Sequence, residues 1–286
     1  MNAQDQDFSQ AKQRLGLTFH RTFSLEISSL SSILALTQTQ SPDNATLTLG
    51  DIRKQLNLGT IQVEAFPRYG KGTGLLDSSL QPTRFGTTVK KKDPLLDQLS
   101  TQWLMHYHLS APHGPGPLFW HQLVTTRFRS GDEFTRDEIA EQISTIYLAS
   151  EGKELADRTA TTTATVFLGT YTKLDGFGKL KIIEDLGDSR YRVLEPDPPS
   201  VWAVAYALLD YWAAHFSQQI TIDLNAFSGP DGLSSLFMIG SGRLNVVLRA
   251  MQESGFVEVH RVAPPYQLVL LNSDPHSLLE RLYSYE

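Results

Sequence analysis

The run Val201–Phe216 (VWAVAYALLDYWAAHF) constrains this chain more than any other segment. A bilayer-spanning helix needs about 20 predominantly apolar residues, and this run is shorter and contains Asp210. It therefore predicts a helix buried inside a protein, not in a lipid. A helix that is apolar on nearly every face must be covered on nearly every face, so its position is central to the C-terminal core.

The chain of 286 residues exceeds one ordinary domain, and 41% hydrophobic with 20% charged residues is enough apolar material for a real core. Helical spacing and turn residues divide it into three blocks. The fold class expected is mainly α with small β wings: two winged helix-turn-helix-like units, 1–92 and 196–286, flanking a helical middle block, 93–195.

In the first block, Phe23, Ile27, Leu30 and Leu34 keep helical spacing over Thr22–Gln38, and Ser41–Asn44 ends that run with turn residues. A second helix is expected from Gly50 to Leu56, and a third from Thr60 to Tyr69, stopped by Gly70, Gly72 and Gly74, with Pro67 an awkward interior residue. Leu75–Leu76 and Arg84–Val89 are expected to form the wing.

The middle block predicts helices over Asp97–Leu109, Leu118–Phe128 and, after the start signal Thr135-Arg136-Asp137-Glu138, up to Leu148. Thr159–Thr170 is read as a further helix. Leu180–Ile183 and Arg190–Leu194 are read as a hairpin round Gly187–Asp188. In the last block the apolar helix is followed by Ile220–Ile222 (extended), Leu224–Phe227 and Leu233–Phe237. A helix over Arg243–Glu253 comes next, then strands Phe256–Val262 and Tyr266–Leu271 around Ala263-Pro264-Pro265.

Charge is distributed unevenly. Against a net charge of −6, residues 50–92 carry eight basic and three acidic side chains, a local +5 that leaves −11 elsewhere. Arg53, Lys54, Arg68, Lys71, Arg84, Lys90, Lys91 and Lys92 are the candidate DNA-binding residues, because a local positive field attracts a phosphate backbone even on an acidic protein. Arg243, Asn245 and Arg249 form a second candidate surface, since Arg and Asn are the side chains that read guanine and adenine edges. Winged helices also dock proteins, and docking is expected of this surface ahead of base reading.

Catalytic signatures are not found. The absence of cysteine excludes thiol nucleophiles, disulfides and thiolate-bound zinc. His106, His108, His113 and His121 cluster, but His106 and His108 are two residues apart, where metal ligands on a helix want i, i+4, and no carboxylate lies between Gln98 and Gly131. The lysine of Gly70-Lys71-Gly72-Thr73-Gly74 is followed by glycine, unlike a phosphate-binding Walker loop. No catalytic residue, metal ligand or cofactor is therefore assigned. Met1–Gln13 has neither the apolar stretch of a signal peptide nor the bias of a transit peptide, so a cytoplasmic location is expected.

A family resemblance spans about Leu17 to Tyr283. Phe19-His20-Arg21-Thr22-Phe23-Ser24-Leu25, Asp93-Pro94-Leu95-Leu96 with Thr101-Gln102-Trp103-Leu104-Met105-His106-Tyr107, Phe119-Trp120, Phe134-Thr135-Arg136-Asp137-Glu138 and Tyr206-Ala207-Leu208-Leu209-Asp210-Tyr211-Trp212, in this order, resemble the bacterial domain of unknown function 4007. Members occur beside DNA phosphorothioation and related modification-based anti-phage systems, so the resemblance implies a part in DNA modification or phage defence. It supplies no catalytic residues. After Leu58-Gly59 the family commonly has Val-Gly-Lys-Asn-Met, and this chain has Thr60-Ile61-Gln62-Val63. The resulting expectation is a non-enzymatic accessory subunit that binds double-stranded DNA and docks protein subunits of a defence or modification complex. The alternative is an adaptor of such a complex that never touches DNA.

Overall fold

The computed structural model describes residues 14–37, 47–227, 229, 232–261 and 265–284. The expected turn at Ser41–Asn44 and the Ala263–Pro264 loop lie outside them. The chain divides into two compact units, Arg14–Asp197 and Pro198–Glu286. Residues 14–92 and 93–195 of the two expected blocks thus fall within a single unit.

The first unit begins with α1 (Ile27–Leu36), α2 (Leu49–Leu56), α3 (Thr60–Gly72) and α4 (Arg84–Lys92). α2 starts in a capping box, Thr48 accepting from the Asp51 N–H while the Asp51 carboxylate accepts from the Thr48 N–H. α3 does not stop at Tyr69 as expected. Gly70 and Gly72 lie within it, because a Cβ at either would come within 3 Å of the Leu76 or Leu109 side chain, so these glycines allow close packing. Pro67 is accommodated inside the same helix.

The expected N-terminal wing is a helix. Thr83 caps α4 by accepting from the Gly86 N–H at 2.9 Å, and Phe85 and Val89, buried at i, i+4, turn its apolar side inward. That spacing is a helical period and not the alternation of a strand. Of the wing only one bridge is present among the described residues, Leu76 opposite Pro82.

Next come α5 (Leu99–Ser110), α6 (Leu118–Arg127), β1 (Glu133–Thr135), α7 (Arg136–Glu151), α8 (Asp157–Thr172), β2 (Ile183–Gly187) and β3 (Arg190–Val193). The three strands make an antiparallel sheet in the order β1-β3-β2, with Tyr191 opposite both Phe134 and Asp185. β1 is too short to show a strand pattern in the sequence, and the hairpin begins three residues later than expected, since Gly178–Leu180 form a short 3-10 turn.

Every residue of α5 from Ser100 to Ser110 is buried, polar ones included, so its polar groups must find partners inside. The Gln102 amide donates to the Leu96 carbonyl at 2.9 Å. His106 Nδ1 lies 2.9 Å from the Tyr171 hydroxyl, which also accepts from Trp120 Nε1 at 2.9 Å. Around this node Phe128, Phe167 and Phe177 pack edge-on or tilted on Tyr171, an aromatic core whose polar atoms are held by one another.

The second unit has the predicted buried helix as α9 (Val201–His215), with Ala203–Leu209 and Trp212 buried. It is followed by β4 (Thr221–Asp223), a 3-10 turn at Leu224–Phe227, α10 (Leu233–Leu236), α11 (Ser241–Glu253), β5 (Val257–His260), β6 (Gln267–Leu270) and α12 (Ser277–Leu282). Its sheet is antiparallel in the order β4-β6-β5. α11 and α12 pack on α9, with Leu244, Val247, Leu248 and Met251 as the inward stripe of α11. Among the described residues no helix is long and apolar enough to cross a membrane.

Candidate nucleic-acid interface

The basic segment of the first unit is spread over three helices. Arg53 and Lys54 stand exposed in the last turn of α2, on the side away from the buried Ile52. On α3, Arg68 and Lys71 lie one turn apart. Arg68 reaches the Phe19 carbonyl at 3.5 Å and lies 3.9 Å from Glu64, which forms an ion pair with Arg21, while Lys71 Nζ donates to the Ser78 carbonyl at 3.0 Å. Arg84 opens α4, and Lys90, Lys91 and Lys92 fill its last turn, where positive charge favours the carbonyl end of the helix dipole.

These cations are not equivalent. Lys90 turns inward: its Nζ donates to the Thr37 carbonyl and lies 3.3 Å from Thr37 Oγ1, and burial pulls its pKa below the usual lysine value. Arg84, Thr87 and Lys91 recur at i, i+3, i+7 on the exposed side of α4, with Lys92 beside them. Arg68 and Lys71 are brought together at a recess between α3 and the loop after it.

In the second unit the structure separates the three candidate residues of α11. Arg243 is half-buried and donates through Nη2 to the Pro199 carbonyl at 2.6 Å, so it holds α11 to the start of α9 and does not face solvent as expected. Its position at the edge of the Leu244/Val247 stripe accounts for this. Asn245 and Arg249 are exposed, one turn apart, with Val246 between them 46% exposed.

Arg261, directly after β5, reaches across and donates to Asn245 Oδ1 at 2.5 Å. The Gln252 side-chain carbonyl accepts from the Val259 N–H at 3.0 Å, fastening the same helix to the same strand. The result is one surface made of a helix face and a hairpin. Sequence reasoning misses Arg261 because nothing local distinguishes it: only the antiparallel return of β5 beside α11 gives it a role.

His20 is buried, with Nε2 3.3 Å from Thr163 Oγ1 and Nδ1 without a partner, and burial pushes its pKa down to about 4. His121 Nδ1 lies 2.8 Å from the Ser110 carbonyl. Among the described residues no group of three or more His, Asp or Glu is placed to hold a metal ion. Glu184 lies 3.6 Å from Arg192, and Asp185 accepts from the Gly187 N–H at 2.9 Å, so both serve the β2–β3 hairpin.

A family model described as a protein of unknown function, DUF4007, matches residues 20–283. No curated protein matches the chain. Its fold is similar to that of magnesium ion-bound SspB, at 18% identity and a TM-score of 0.75 over 96% of this chain and 89% of that one. A second SspB crystal structure aligns at 19% identity and a TM-score of 0.74, over 96% and 90% of the two chains. At this identity the likeness is one of fold.

Proposed function

We propose that this chain, which belongs to the DUF4007 family, is a DNA-binding accessory subunit of a DNA-modification system, engaging duplex DNA through α11 and the β5–β6 hairpin. The system is the one that the family resemblance implies. The DNA interface is supported chiefly by one observation, the Arg261–Asn245 bridge that joins the exposed face of α11 to the hairpin beside it.

We read the order helix, strand, helix, helix, hairpin over α9–β4–α10–α11–β5–β6 as that of a winged helix-turn-helix, in which the third helix enters the major groove and the hairpin lies along the backbone. The same order recurs in α6–β1–α7–α8–β2–β3, but there half of α8 is buried, including Ala160, Thr163, Ala164, Val166, Phe167 and Leu168. Of the two third helices, α11 has the more open face. Asn245 and Arg249 are side chains of the kind that pair with base edges, and Arg261 is suited to a phosphate. Lys91 and Lys92 of α4, in the first unit, offer a separate, sequence-independent attraction to phosphates. The test is fluorescence anisotropy with a mixed-sequence duplex at low and moderate salt, wild type against Arg249→Ala.

A pure protein-docking adaptor is the second reading, and the exposure of Val246 in the middle of the α11 face favours it, because an apolar side chain there suits a protein surface as well as a groove. Under that reading Val246→Glu abolishes complex formation and the duplex is never bound. The non-enzymatic part of the proposal is tested in the same tube. SspB has been solved with a magnesium ion, and a magnesium ion binds with one or two carboxylates plus phosphate oxygens, so the duplex is also incubated with magnesium and resolved under denaturing conditions. Intact strands support an accessory role, and nicked strands refute it.

A further inference from the structure

A recess of about 280 Å³ lies on the first unit. One wall is a single face of α3, where Glu64, Pro67, Arg68 and Lys71 recur at i, i+3, i+4, i+7. Ser78, Ser79 and Leu80 form the facing wall, and Leu49, at the start of α2 and 44% exposed, closes one side.

The recess is divided by chemistry. Leu49, Pro67 and Leu80 supply an apolar part, and Arg68, Lys71 and the two serines a polar, cationic part. The single carboxylate there is already engaged: Glu64 pairs with Arg21 and lies 3.9 Å from Arg68. Among the lining residues, Arg68 and Lys71 against Glu64 leave a charge of +1. Both lining cations are held in place, Arg68 by the Phe19 carbonyl and Lys71 by the Ser78 carbonyl, and Lys71 keeps two further N–H donors for a ligand.

The loop that carries the serines is also fixed. Asp77 Oδ1 accepts from the Ser79 N–H at 2.8 Å and the Gln81 N–H at 2.9 Å, and Leu80 sits in the left-handed region at φ 60° with its side chain buried. A glycine, having no Cβ, would adopt that conformation more easily, so the leucine is kept there for its side chain, which forms the apolar part of the wall.

We infer that this recess binds a nucleoside phosphate monoester, its phosphate between Arg68, Lys71 and the serines, its sugar or base against Leu49, Pro67 and Leu80. The phosphate and the apolar body follow from the two halves of the recess. That the body is a nucleoside rests on the DNA-binding reading above. The same chemistry is offered by a free nucleoside monophosphate and by the phosphorylated end of a DNA strand.

The test is calorimetric titration of the full chain with thymidine monophosphate, thymidine, inorganic phosphate and a short single strand with or without a 5′-phosphate. Thymidine monophosphate is expected to bind with a Kd of about 1 mM or tighter. Thymidine is expected to bind about tenfold more weakly, since it lacks the charged group and its hydrogen bonds. Lys71→Gln weakens the monophosphate about tenfold. Ser79→Tyr, which leaves the charge unchanged and fills the recess, does the same, and it keeps the wild-type melting temperature and duplex affinity. A strand that binds only when phosphorylated identifies a DNA end as a source, and equal binding of the two strands restricts the site to free nucleotide. No saturable heat with the monophosphate, or an affinity unchanged in folded Ser79→Tyr, overturns the inference. Duplex binding is measured separately, so its failure and the failure of this site are told apart.

Discussion

Arg261, just beyond β5, donates to the side-chain carbonyl of Asn245 on α11 at 2.5 Å, tying a hairpin cation to the exposed face of a helix. The bond positions both side chains before any ligand arrives. Preorganised polar groups lose less conformational freedom on binding, which is why this pair outranks the more numerous lysines of α4 as the centre of the proposed interface.

Arg249→Ala is therefore expected to weaken duplex binding by about 1–3 kcal/mol, and Asn245→Ala by a similar amount with relaxed sequence preference. Anisotropy on duplexes of different sequence checks both. An equal loss on every sequence would mean that α11 touches phosphates only.

Arg243→Ala behaves differently. Its guanidinium is half-buried on the Pro199 carbonyl, so its removal is expected to cost stability, about 1–3 kcal/mol in chemical denaturation, while the DNA affinity of the folded fraction is unchanged. A selective drop in DNA affinity at full stability would return Arg243 to the interface.

On α4 the lysines are expected to divide. Lys91→Glu with Lys92→Glu lowers the slope of log affinity against log salt by about 0.9 for each phosphate that is no longer neutralised. Lys90→Gln, by contrast, leaves the slope alone and destabilises the end of α1 that it holds through Thr37. Identical slopes for wild type and the double variant would remove α4 from the account.

His20 makes stability depend on pH. Its folded pKa of about 4 lies below the unfolded value of 6.5, so its neutral form is favoured by folding. The contribution is full above pH 6.5 and is lost as pH falls from there towards 4, by up to roughly 3 kcal/mol. Denaturation midpoints of wild type and His20→Gln across this range should converge on acidification. Parallel curves would show that His20 does not titrate in the window.

The helical class is legible in the sequence, and so are the elements whose signals are local. The Thr135/Glu138 capping box starts α7, and the apolar run 201–216 gives α9. The second-unit hairpin is readable from alternation and a proline turn. What fails depends on packing. Arg84–Val89 reads as a polar strand unless Phe85 and Val89 are seen as an inward helical pair, and Gly70 and Gly72 read as a stop unless Leu76 and Leu109 are known to press on them. Gly86 belongs with these, since a Cβ there would lie 2.0 Å from the Leu75 carbonyl oxygen. The candidate site is legible as residue types but not as a surface: Arg243 and Lys90 are spent on backbone carbonyls, and Arg261 gains its place only through the fold.

Direct duplex binding is the central claim, and titration of a labelled mixed-sequence duplex across a range of salt tests it most directly. With Arg249 and Arg261 on phosphates or bases, saturable binding at low salt should weaken as salt rises, this surface contributing roughly −1 to −2 to the log–log slope, and Arg249→Ala should shift the whole line. Folded protein that gives no saturable signal at low salt, or a signal that Arg249→Ala leaves untouched, would contradict it and leave the protein-docking adaptor as the function of this surface.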